Sequence, residues 1–180
     1  MSEAILLVDI QNDYFPGGKF EVPGAKASAE KTAQLLKYGR ENRMLIAHIR
    51  HFSTKPGASY LIPESEGSFI NDTVKPANGE KVFIKNYPNS FRLTGLDEYL
   101  KGKGIKKLII CGMMTQMCVD TTARAAFDLG YELRVAADAC AARPMTFNGV
   151  TVTAEMVNAA FMGAIGSVFA KCVSTEEITG

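Results

Sequence analysis

Leu108-Ile-Ile-Cys-Gly-Met-Met-Thr-Gln-Met-Cys118-Val-Asp-Thr-Thr-Ala-Arg-Ala-Ala-Phe-Asp-Leu-Gly130 is the stretch whose reading decides the fold. Its short apolar run, Leu108 to Cys111, lies between Lys107 and Gly112 and reads as a strand buried on both faces, as in parallel sheets. From Val119 onward, apolar residues recur at Ala123, Ala126 and Phe127, a helical spacing that Gly130 stops. The join therefore sets Cys118 in the first turn of a helix that follows a strand directly, with Thr115 as its expected N-cap. Backbone N–H groups and the helix dipole favour a thiolate at such a place. Cys111, Cys140 and Cys172 read instead as small buried hydrophobes.

Outward from that stretch the same alternation repeats. Ala4 to Asp9 is a buried strand that ends in an acid, and the residues from Gln11 to Gly18 form a loop rich in turn formers. A surface helix is predicted over Ala25 to Asn42, a second strand over Met44 to Arg50, and a third over Lys81 to Lys85. The segment between the second and third strands, His51 to Gly79, holds Pro56, Pro63 and Pro76 and has no sustained period. A connection of that length reads as a lid or binding loop. A short helix from Leu96 to Lys103 precedes the quoted stretch. Strands over Glu132 to Ala136 and Ser167 to Val173, with a helix from Ala154 to Ile165 between them, complete the pattern.

Strands alternating with helices predict an α/β fold of three layers, α/β/α. The expected core is a doubly wound parallel sheet of six strands in the order 3-2-1-4-5-6. Ligands bind such sheets beyond the carboxyl ends of the strands. Asp9 closes the first strand, Lys85 closes the third and Cys118 follows the fourth, so all three converge on one crevice. An acid beside a cysteine accepts the thiol proton and later delivers it to a leaving nitrogen, and a lysine between them balances the charge. Taken singly, Asp9 also reads as a strand-end cap and Lys85 as a solvated strand end. Their convergence is what speaks for chemistry.

The 180 residues are 47% hydrophobic with a formal net charge of +1, which fits one globular domain over 1–180 and offers no electrostatic case for nucleic acid. No apolar run has the length of a membrane span. Cysteines without framework spacing predict reduced thiols and a cytoplasmic address. The expected partners are a small-molecule substrate and further copies of the chain in a homo-oligomer, not a membrane. His48 and His51 stand three apart at a strand end, poorly aimed for one ion and with no Asp-x-His or His-x-His pair, so no metal is expected. No Gly-rich phosphate loop joins a strand to a helix, and no cofactor is expected.

With these residues assembled, the chain resembles the isochorismatase-like cysteine hydrolases. Asp9-Ile-Gln-Asn-Asp-Tyr-Phe15, Lys85-Asn-Tyr-Pro-Asn-Ser-Phe91 and Cys111-Gly-Met-Met-Thr-Gln-Met-Cys-Val119 look like that family's three motifs, in its order. The resemblance implies a catalytic triad of Asp9, Lys85 and Cys118. It also implies a cis peptide joining Met113 to Met114, with the N–H groups of Met114 and Cys118 turned to one oxyanion. Tyr14, Phe91 and the His51–Gly79 loop are candidates for the pocket wall. The nicotinamidases of that family carry a metal site built on an Asp-x-His pair and a later histidine, which this chain lacks. Isochorismatases proper lack the cysteine. The implied activity is hydrolysis of a C–N bond (amide, carbamoyl or lactam-type) through a thioester. The alternatives are a metal-free ether hydrolase of the isochorismatase type, a thiol redox protein in which Cys140 or Cys172 resolves Cys118, and a catalytically silent binding protein.

Overall fold

The computed structural model describes residues 2–180. Six strands form one parallel sheet: β1 (Glu3–Val8), β2 (Leu45–His51), β3 (Lys81–Lys85), β4 (Lys107–Met113), β5 (Glu132–Ala141) and a last short strand, Lys171–Val173. Two further strands, β6 (Met145–Phe147) and β7 (Val150–Val152), precede that last strand, which is therefore β8. The sheet order is β3-β2-β1-β4-β5-β8. This is the predicted winding, with β8 in the sixth place.

The apolar runs explain the order. Ala4 to Val8 of β1 and Leu108 to Met113 of β4 are buried throughout, as central strands covered on both faces must be. Edge strand β3 instead exposes Val82 and Ile84 and buries Phe83 and Lys85. Helices α1 (Ala25–Glu41), α2 (Leu96–Gly102), α3 (Asp120–Asp128), α4 (Ala154–Val168) and α5 (Thr175–Thr179) provide the covering layers. α1 packs against β5 and α5, while α3 packs against α4 and β5. In α1 the buried positions Ala25, Ser28, Ala29, Thr32, Leu35, Leu36 and Gly39 form one helical stripe.

Several elements differ from the sequence reading. β5 runs to Ala141, beyond its predicted end at Ala136, because a register shift between Ile110 and Gly112 lets it pair again as Gly112 with Cys140 and Met113 with Ala141. α4 continues to Val168 and leaves β8 only three residues. The hairpin β6–β7 lies outside the sequence reading. Asn148 and Gly149, both at positive φ, form its turn. Thr115 does not cap a helix: Thr115–Val119 is a single π-helical turn whose first flanking residue is Met114. The Thr115 hydroxyl instead lies 2.7 Å from Oδ1 of Asn158 on α4.

Gly112 fixes how closely β4 meets β1. Its φ is 127°, and a Cβ there would collide with the Val8 carbonyl. Only glycine meets both conditions.

Candidate active site

Strands β1 to β4 all end on one edge of the sheet, and the register sets their last residues side by side. Val8 pairs with Ile49 on one flank and Gly112 on the other, and His51 pairs with Lys85. Asp9 follows β1 in a left-handed conformation, φ 50°, and its N–H donates to the Ile49 carbonyl at 3.1 Å. Aspartate adopts this region more readily than most residues. The turn keeps the carboxylate at the strand end.

Lys85 is the centre of the cluster, 1% exposed despite its charge. Its Nζ lies 2.6 Å from Asp9 Oδ2, 3.2 Å from Cys118 Sγ and 3.1 Å from His51 Nδ1. Three neighbours match the three N–H groups of an ammonium. Burial alone would lower the Lys85 pKa, but Asp9 and then Cys118 outweigh it and hold the amine above its ordinary value. Beyond the ion contact, neither oxygen of Asp9 has a hydrogen-bond partner among the described residues. Asp9 therefore retains free acceptor capacity beside the thiol.

The Cys118 thiol departs from the sequence expectation. Burial, followed by the Asp9 carboxylate, pushes its pKa well above the ordinary range, and Lys85 offsets only part of this. The expected thiolate is not the resting form. One ammonium already balances one carboxylate here, so a second anion would be buried without a counter-charge.

Cys118, Met114, Met117, Tyr14, His51 and Tyr60 line a cavity of about 390 Å³, and Ser53 to Ala58 of the long loop close another side. The loop is tied down by the first motif. Gln11 Nε2 donates to the carbonyls of His51 and Ser68, and its Oε1 accepts from the His51 N–H at 2.7 Å. Asp13 accepts from the N–H groups of Lys19 and Leu61. Gly67 packs so close to Asp13 that a Cβ would strike the carboxylate. Met113 is fully buried beneath the site, and the Met113–Met114 peptide is cis.

Of the two expected wall residues, Tyr14 lines the cavity and is 2% exposed. Phe91 does not line it. It stacks on Tyr131 with ring centroids 6.0 Å apart, while Ser90 beside it bonds Thr122 of α3 and holds the loop after Lys85. His51, poorly aimed on the sequence reading, is in the site. Its position opposite Lys85 is set by strand pairing, which its neighbours in sequence do not signal. His48 does point the other way, to Glu80 Oε2 at 2.8 Å.

A ring nitrogen of His51, a carboxylate oxygen of Asp9 and Cys118 Sγ lie within 4.8 Å of one another, a spacing suited to a metal ion. The Lys85 ammonium contacts all three residues, so an ion there would have to displace a buried positive charge. The three donors are of a kind that binds metal, and it is the Lys85 charge among them that opposes one. No other thiol lines the cavity: Cys111 Sγ faces the Leu6 carbonyl, Cys172 Sγ faces that of Met162, and Cys140 lines a separate recess with Ser28 and Asp138.

The isochorismatase domain model matches residues 3–177. The isochorismatase family protein YddQ of Bacillus subtilis is 39% identical over 176 residues, which cover 98% of each chain. Nicotinamidase 3 of Arabidopsis thaliana is 40% identical over 170 residues, 88% of this chain and 80% of that protein. The crystal structure of an isochorismatase hydrolase from Oleispira antarctica superposes with a TM-score of 0.95 at 44% identity, covering 99% of this chain and 96% of the other. With a matching family model along nearly its whole length and this sheet order, the chain belongs to the isochorismatase family.

Proposed function

We propose that this hydrolase cleaves the C–N bond of a small amide through a thioester on Cys118. The observation that carries the reading is the buried contact of Lys85 with both Asp9 and Cys118, the last of which lines the cavity. Because the resting thiol is protonated, its proton passes to Asp9 as sulfur attacks the carbonyl carbon. Lys85 neutralises the charge that this transfer moves between the two groups. The N–H groups of Met114 and Cys118 hold the oxyanion, each donor worth about 3 kcal/mol in the transition state. Asp9 returns the proton to the departing nitrogen and the C–N bond breaks. A water then gives a proton to Asp9 as it attacks the thioester carbon, and Asp9 passes that proton to the departing sulfur, which releases the acid and restores the thiol.

Two other readings are weaker. A disulfide at Cys118 lacks a second thiol on the cavity. An ether hydrolysis by acid catalysis leaves the buried thiol beside Asp9 without a role. The name of the Arabidopsis relative brings nicotinamide into the trial set, but the absence of an Asp-x-His pair speaks against it as the preferred substrate.

The test is ammonia release from a panel of primary amides, carbamoyl compounds, lactams and nicotinamide. At least one compound should turn over, and Cys118→Ala should lower that rate at least about a thousandfold. Retained activity in Cys118→Ala would refute the covalent route.

A further inference from the structure

Two polar groups of the cavity wall stand beside Asp9 and Lys85 without a part in the proton transfers. The Tyr14 hydroxyl belongs to a side chain that is 2% exposed, lies near enough to Asp9 to feel its charge, and makes no hydrogen bond among the described residues. Burial first, and the Asp9 charge next, raise its pKa well above the ordinary value, so it keeps its proton and is a donor. His51 is the second. Lys85 donates to its Nδ1, and burial together with the Lys85 charge lowers the ring's pKa, so it is neutral and its proton sits on Nε2. That N–H also has no partner among the described residues, although His51 lines the cavity.

Neither donor is sealed from solvent: each opens on the cavity, where water meets it until a substrate acceptor takes that place. The acceptor is not the scissile oxygen, for which the turn at Cys118 supplies backbone N–H groups. No acidic side chain lines the cavity, and Lys55 stands at its wall. The wall therefore suits an oxygen acceptor, neutral or anionic.

We propose that Tyr14 Oη–H and His51 Nε2–H form a two-donor clamp that selects amides carrying a second oxygen acceptor, a carbonyl or a carboxylate, close to the scissile carbonyl. The clamp rests on the reading of Cys118 as the site of attack. In it Tyr14 and His51 are positioning residues: they orient the acyl portion so that the scissile carbon faces Sγ.

Three primary amides of nearly one shape separate the chemistry: malonamate carries a carboxylate, acetoacetamide a ketone oxygen, and isovaleramide two methyl groups in their place. Their dissociation constants are measured by NMR titration on the Cys118→Ala protein, in which no turnover intervenes. At least one of the two oxygen-bearing amides should bind about tenfold or more tightly than isovaleramide, and which one does so tells whether charge or only the acceptor is read. In that background Tyr14→Phe should remove most of the preference. His51→Asn and His51→Gln divide the two roles of the ring. The Gln amide nitrogen reaches the place of Nε2 and should keep the preference; the Asn oxygen replaces only the Nδ1 acceptor and should lose it. Equal or undetectable binding of all three amides would overturn the clamp. So would a preference that survives Tyr14→Phe, or one kept by Asn and lost in Gln, since His51 would then only support Lys85. These results are independent of the thioester, which is tested by wild-type turnover against Cys118→Ala.

Discussion

At the scale of the residue, the chemistry turns on how one buried lysine shares its three protons. Lys85 holds Asp9, Cys118 and His51 at hydrogen-bonding distance, so its loss would leave a buried carboxylate without a counter-charge. Lys85→Met should lower stability by about 3 to 5 kcal/mol, and adding Asp9→Asn should restore much of it; denaturant titration of the single and double variants checks the coupling. The protonated thiol gives a second prediction. Alkylation of Cys118 by iodoacetamide should be slow at neutral pH and should keep rising through about pH 9, because burial and Asp9 hold its pKa above the ordinary thiol range. A plateau reached below about pH 8 would contradict the charge balance described for the site. Asp9, Lys85 and Cys118 are legible in the sequence as a convergent set because each terminates or follows an apolar run. His51 is not, since the partners that define it, Lys85 and Gln11, are brought in by strand pairing and a loop rather than by neighbours in sequence.

At the scale of the element, the strands are held at the spacing the site needs by a few local devices. Gly112→Ala should cost more than about 3 kcal/mol, because the added Cβ meets the Val8 carbonyl and φ lies where L side chains are strained; an unchanged thermal melt would refute this. Beside β2 and β3, Arg40 makes two contacts with Glu80, whose carboxylate also accepts from the Ala77 N–H and meets His48. Burial pushes the Glu80 carboxyl up, but these partners outweigh it and hold its pKa at about 2. A depressed carboxylate stabilises the fold fully above its unfolded value of 4.5, and that stability is lost as pH falls from there towards 2. Glu80→Gln should cost about 2 kcal/mol at neutral pH and flatten the acid limb of stability between those values, as denaturant titration across that range would read. The same scale shows where pattern reading stops. β3 matches its expected ends because charged residues flank Val82 to Ile84, whereas α4 runs past its expected end because Gly166 and Ser167 do not stop a helix supported by tertiary packing. The Asn148-Gly149 signal of the hairpin is present in the sequence, but strands of three residues beside such a turn carry too little alternation to be seen.

At the scale of the whole molecule, the winding order brings four strand ends and one tethered loop to a single cavity, and the helices need only cover the sheet. This much follows from the succession of apolar runs and helical spacings, because parallel order and crossover hand leave few arrangements. The cavity wall does not follow from it, since the loop that carries Tyr60 and Ser53 to Ala58 is tied across the chain at His51 by Gln11, at Leu61 by Asp13 and at Ser68 by Arg50. Among the described residues no helix is long and apolar enough to cross a membrane. The charge balance around Lys85 also predicts that turnover survives exhaustive chelation, and that the purified protein carries no stoichiometric transition metal; about one zinc per chain, with activity lost on its removal, would contradict that balance. The central claim is the bond between Cys118 and the acyl group. Rapid acid quench during turnover of an amide from the panel, followed by mass spectrometry, should find the chain heavier by one acyl group on the peptide that contains Cys118, and hydroxylamine should release it. Steady turnover with no adduct at any time, together with undiminished hydrolysis by Cys118→Ala, would contradict the account.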